Sequence, residues 1–194
     1  MGLFGLFGKK ETESTLPASD TEKWLTGTYA MWSEYAEGDA RYIAGSVEKN
    51  KQEGASMRTM LRRDWGISNR EALMEQVGLL TALYDSDDCE EEDLVLGAWD
   101  LCRACQILAM AYIGGYIDRQ ELTRESVNVG RIMQKRYHSW RELFDSYAKG
   151  YADWRNGVGD GAAQDIRARE QLCQKQLSKP DGACALDWNM TLTA

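Results

Sequence analysis

At 194 residues, with 43% hydrophobic content and seven tryptophans, the chain can bury roughly 70% of its unfolded surface in one domain, which excludes disorder. A formal net charge of -8 excludes the basic footprint that non-specific nucleic-acid binding requires. Two prolines, abundant Ala, Leu, Met, Glu, Arg and Lys, and no β-branched runs favour helix.

Residues 1–18 read as a flexible leader ending at Pro17. Within it, Leu3, Phe4, Leu6 and Phe7 followed by Lys9 and Lys10 offer a weak peripheral membrane contact over residues 3–10. The apolar residues precede the lysines, the reverse of a secretory signal, and position six is Leu6 rather than the Ser or Thr of a myristoylation motif. Ser19 with Glu22 forms a capping box, and Trp24, Leu25, Thr28, Met31, Trp32 and Tyr35 repeat at helical spacing up to Gly38. A more polar helix is expected to about Gln52, broken by Gly54, then a short one over 55–63.

Ser68 with Glu71 marks the next start, and Leu73, Val77, Leu80 and Tyr84 share one face. The run DSDDCEEED, residues 85–93, reads as a solvated acidic loop; it lacks the alternating ligand spacing of a calcium loop. The stretch AWDLCRACQILAMAYIGGY, residues 98–116, is apolar nearly all round yet carries Asp100 and Arg103 one turn apart. It predicts a buried central helix over about 91–113, stopped at Gly114-Gly115, with the two charges paired out of water. Asp100, Arg103 and Gln106 also interrupt the best candidate for a membrane span, so no transmembrane segment is expected.

Asp118 with Glu121 opens a helix to about Arg136, and Ser139 with Glu142 opens another. The latter carries Trp140, Leu143, Phe144, Tyr147, Tyr151 and Trp154, the cleanest amphipathic stripe in the chain. Residues 157–161 form a glycine-rich joint, and Asp160 is expected to cap a last helix to about Ser178. Its apolar face, Ile166, Cys173 and Leu177, is thin and predicts loose packing or a partner. Residues 179–194 read as an irregular tail. The expected architecture is a single all-α domain over 19–178, a bundle of six to eight helices around the central one.

No residue constellation forms a catalytic motif. Cys102 and Cys105 make a C-x-x-C inside an apolar helix, away from the exposed helix start that activates a thiol, and read as core. His138, the lone histidine, stands at a helix entry. An odd five cysteines without a secretory signal fit free thiols in the cytoplasm. No metal or cofactor is expected. The polar stripe of Asp100, Arg103 and Gln106 reads in two ways: an ion pair tying the central helix to neighbouring aromatic tips, or the floor of a polar pocket.

Trp65-Gly66-Ile67, Asn69-Arg70, Ala98-Trp99-Asp100 with Arg103, Gly115-Tyr116-Ile117, Ser139-Trp140, and Ser146-Tyr147 with Gly150 follow one another in a fixed order. In that succession the chain resembles the bacterial domain-of-unknown-function family typified by the YbeU and YbeR proteins, over about residues 60–156. The resemblance implies a bacterial cytoplasmic protein and carries no activity. It implies that Trp65, Arg70, Trp99, Asp100, Arg103, Tyr116, Trp140 and Tyr147 belong to the family pattern. The leading functional expectation is a non-enzymatic protein-interaction module, of adaptor or immunity type, whose aromatic groove and acidic surface suit a basic protein partner. The alternative is an enzyme or small-ligand binder using neighbouring tyrosines, with Arg103 holding an anionic group and Asp100 orienting it or acting as base.

Overall fold

The computed structural model of the chain describes residues 13–194. The expected membrane contact of residues 3–10 lies outside the described residues. Eight helices account for most of the fold: α1 (Asp20–Gly27), α2 (Ala30–Tyr35), α3 (Lys51–Trp65), α4 (Arg70–Asp85), α5 (Leu94–Gly114), α6 (Arg119–Arg136), α7 (Trp140–Asn156) and α8 (Ala162–Ser178). Two-residue strands β1 (Glu13–Ser14) and β2 (Glu48–Lys49) pair antiparallel. The all-α helical architecture read from the sequence is the one observed.

The order follows from α5. From Gly97 to Gly114 it is buried almost continuously, so neighbours must surround it, and α3, α4, α6 and α7 all pack against it. Among the described residues α5 alone is long and apolar enough to cross a bilayer by length and composition. Here its apolar surface is covered by the other helices instead. It stops where expected: Gly115 takes the left-handed conformation (φ +79°), and Arg58 of α3 donates to the last carbonyl, Gly114 O, at 2.7 Å.

Three of the four capping boxes sit where the sequence puts them. Ser19, Asp118 and Ser139 accept from the backbone N–H of Glu22, Glu121 and Glu142. The fourth cap is Asn69, not Ser68, accepting from Ala72 N. The acid-rich turn carries α5's start to Leu94 rather than 91. The last helix is entered at Gly161, in the left-handed conformation and with no side-chain cap, and Asp160 accepts at its backbone carbonyl from Arg155.

Other departures have local causes. The first expected helix divides at Thr28–Tyr29, where Thr26 and Thr28 turn their hydroxyls back on the carbonyls of Lys23 and Leu25. Residues 36–50 are not a polar helix. Glu37 and Ala44 take left-handed φ, Ile43 and Ala44 are buried in a 3-10 turn against α5, and Asn50 caps α3 by accepting from Gln52 and Glu53. Gly54 does not break α3: a Cβ there would stand 3.1 Å from Ile113 O, so the bare glycine lets α3 seat closely on α5. Thr15, just after β1, is buried and bonded to Ser46 O. The thin apolar face of α8 does not leave it loose. It packs on α7 and α2, burying Arg169 and Gln176 with Cys173. Past α8, Trp188 and Leu192 are buried in the core, and Trp188 joins Trp24 and Trp140 in an aromatic cluster with centroids 4.7–5.0 Å apart.

α7 seats closely on α5 at Gly150, where a Cβ would stand 2.5 Å from Trp99 Cβ and 2.7 Å from Leu96 O. Gly150→Ala is expected to push α7 off α5 and cost about 1–3 kcal/mol, read as a lower urea midpoint at unchanged slope.

Candidate functional site

The enclosure of α5 is incomplete along one strip. Trp99, Asp100 and Arg103 lie there, with Arg103 and Asp100 side chains 22% and 34% exposed. The pair forms, Arg103 Nη2 to Asp100 Oδ1, but not out of water as the sequence suggests. The strip floors a cleft of about 590 Å³ bounded by five helices. Trp32 and Tyr35 come from α2, Trp65 from the end of α3, Tyr151 and Trp154 from α7, and Arg169 from α8. Gln106 lies deeper on α5, its amide on the Met110 sulfur at 3.8 Å.

The amphipathic stripe of α7 explains the aromatic wall. Its positions two, three and four turns after Trp140 bring Tyr147, Tyr151 and Trp154 around Trp99, with centroids 5.3, 5.4 and 5.8 Å away. Two guanidinium groups stand among these rings. Arg103 lies 4.6 Å from the Trp99 centroid and 5.2 Å from that of Trp65. Arg169 lies 4.1 Å from the Tyr35 centroid and 4.5 Å from that of Tyr151, and donates to Tyr147 Oη at 2.6 Å. A third, Arg155, is committed to Asp165 at 2.8 Å and to the carbonyls of the following turn.

The two cations differ in how their charge is met. Arg103 has Asp100, which also accepts from Tyr84 Oη at 3.0 Å; burial, then the charge of Asp100, holds the Tyr84 phenol well above its usual range. Arg169 is only 4% exposed and makes no ion pair among the described residues. Three N–H donors in this wall are sealed from water without a partner: Trp99 Nε1, Arg103 Nε and Arg169 Nε. Burial also pushes the Tyr147 and Tyr151 phenols up, so neither ionises near neutrality.

Of the family-pattern residues, the fold brings Asp100, Arg103, Trp99, Trp65 and Tyr147 to this cleft or its wall. Arg70 pairs with Glu121 across α4 and α6, Tyr116 packs on the core beyond α5, and Trp140 belongs to the Trp24–Trp188 cluster; none of these reaches it. The sequence reading overlooked Arg169 and Tyr35. Arg169 is a charged residue on the apolar line of α8, four positions before Cys173, and that mismatch is the signal it carries. A further cleft of about 400 Å³, beside α1 and the C-terminal segment, has only ordinary surface charge in its lining. Among the described residues no group of His, Cys, Asp and Glu is placed to hold a metal ion.

The cleft wall on α2 is held by Glu34, which takes Lys175 of α8 and Lys179 just past its end. Burial pushes the Glu34 carboxyl up, but those two ammonium groups outweigh it and its pKa falls below the ordinary carboxylate value. A depressed carboxyl contributes stability that is full above the unfolded value of about 4.3 and is lost as pH falls through the folded one. Glu34→Gln is therefore expected to destabilise the fold by about 0.5–1 kcal/mol at pH 7, read as a lower urea midpoint, and to cost progressively less as pH falls below about 4.3.

The model of one family, described as a protein of unknown function (DUF1266), matches residues 81–189, and so takes in the cleft's contributions from α5, α7 and α8. No curated protein and no solved structure matches the chain. With more than half its length under that match, the chain belongs to the DUF1266 family.

Proposed function

We propose that the protein is a non-enzymatic binding protein and that its working site is the aromatic–arginine cleft, which takes a small organic ligand. The observation that carries this reading is the trio of sealed, unpartnered donors on Trp99, Arg103 and Arg169 in one wall. Leaving buried donors unmade costs about 1–3 kcal/mol each; Trp24 Nε1, Ser33 Oγ, Tyr112 Oη and Gln176 Nε2 are also unpartnered but stand apart from this cleft, whereas these three share it. The volume suits a small molecule. The groups at hand favour recognition over chemistry: rings, guanidinium groups and phenols held protonated, with no nucleophile beside a base. Asp100 then serves to orient Arg103. Within the family, we assign the chain to the YbeU/YbeR type on the motifs between residues 60 and 156, an assignment that brings no activity with it.

A thermal-shift screen of metabolites on the wild type and on Arg103→Ala tests the reading. At least one compound should raise the wild-type Tm by several degrees, with the shift lost in the variant. A silent screen alongside a large drop in the variant's own Tm would make the Asp100–Arg103 pair purely structural.

A second reading, the interaction module, draws on a different surface. The turn over 85–93 is rich in acid, and exposed apolar residues flank it in sequence: Leu79 and Leu83 on α4, Val95 and Leu96 on α5. A basic protein partner of adaptor or immunity type would meet that surface rather than the cationic cleft. Its affinity should fall at least about tenfold on reversing Asp87 and Asp88 to Lys, and should drop with salt.

A further inference from the structure

We infer that Arg169 is the seat of a carboxylate, and that the cleft's ligand is a planar aromatic acid; this deepens the reading of the cleft as a binding site and rests on it. The chain supplies its own comparison. Arg41, Arg63 and Arg119 each turn the Nε–Nη2 edge of the guanidinium to the two oxygens of one carboxylate, those of Asp39, Asp64 and Glu22. Arg169 is far more buried than any of these, yet its only hydrogen bond among the described residues leaves through Nη1 to Tyr147. The Nε–Nη2 edge, the fork the others use, is vacant, and Nε is sealed from water. Asp165, one turn before it on its own helix, is spent on Arg155.

A buried cation without a counter-charge costs several kcal/mol, and the rings on either side offset only part of it. A ligand carboxylate in the vacant fork would supply the missing charge and both missing acceptors at once. Three observations fix the ligand class. The cleft is lined by three arginines and two aspartates, Asp64 and Asp165, and both Arg103 and Arg155 are already paired, so one free fork suits a single negative charge rather than a phosphate's two. Around that seat the cleft wall is aromatic, with Trp32, Tyr35, Tyr151 and Trp154, and gives faces to a flat body carried on the carboxylate. Tyr35, one of these rings, is 43% exposed and stands at the end of the six-residue α2, so its rotation opens the fork. Trp99 Nε1 remains as a neutral donor for a second polar atom of the ligand.

Isothermal titration of the full chain with naphthalene-2-carboxylate, and with the neutral naphthalene-2-methanol, tests the inference. The acid should bind saturably, one per chain and about tenfold or more tighter than the alcohol, as a charge-assisted pair predicts. Arg169→Gln should erase the acid's advantage, and Arg169→Lys, which keeps the charge and loses the fork, should erase most of it. If the variants do not fold, judged by cooperative melting, the acid-to-alcohol ratio on the wild type decides. Equal binding of the two compounds would overturn the carboxylate seat and leave the binding cleft standing. An acid preference that survives in a folded Arg169→Gln would move the seat elsewhere and overturn it too. No heat with either compound would sink the seat, while the cleft itself falls only if the metabolite screen is also silent.

Discussion

A helix 21 residues long with almost no polar surface must be enclosed, and that requirement organises the molecule. Four helices lie directly on α5, and the points of closest approach are glycines, Gly54 on α3 and Gly150 on α7. Enclosure by helices of limited width leaves a seam, and the seam runs over the N-terminal half of α5, where Trp99, Asp100 and Arg103 stand. The cleft is thus a consequence of the packing, and the polar residues of α5 sit on the one strip where water can still reach part of them.

Short-range signals in the sequence were reliable where one side chain decides the backbone. The caps at Ser19, Asp118 and Ser139 and the stop at Gly115 depend on single hydrogen bonds or a single φ angle, and each is where its residues put it. The interval 36–50 was not legible in this way. There a buried Ile43–Ala44 turn against α5 and a cap from Asn50 override a weak helical pattern, and both depend on partners far along the chain. The same distinction governs the cleft. Trp99, Asp100 and Arg103 were readable because they interrupt an apolar helix. Tyr35 and Arg169 come from the second and last helices and meet only through the contact of α2 with α8, which no local pattern records.

Charge on apolar faces marks the cleft more closely than charge in total. The acid excess of the chain gathers in places such as the 85–93 turn, whereas the cleft is walled by guanidinium groups. An aromatic groove and an acidic surface, joined in the sequence reading as one docking site, are two separate features of the fold.

What the titratable groups are doing at neutral pH narrows the cleft's role further. Burial pushes the thiols of Cys105 and Cys173 up to about 12 and raises that of Cys102 as well, so those cysteines stay protonated and inert. The phenols nearest the cleft are displaced the same way. General acid–base work needs a group poised near the ambient pH, and nucleophilic work needs a base beside its nucleophile. His138, at the entry to α7, lines a different cleft, beside Arg141 and Lys149. In the cleft itself Arg103 and Arg155 are paired with Asp100 and Asp165, and Arg169, between the rings of Tyr35 and Tyr151, is the arginine whose charge meets no acid among the described residues.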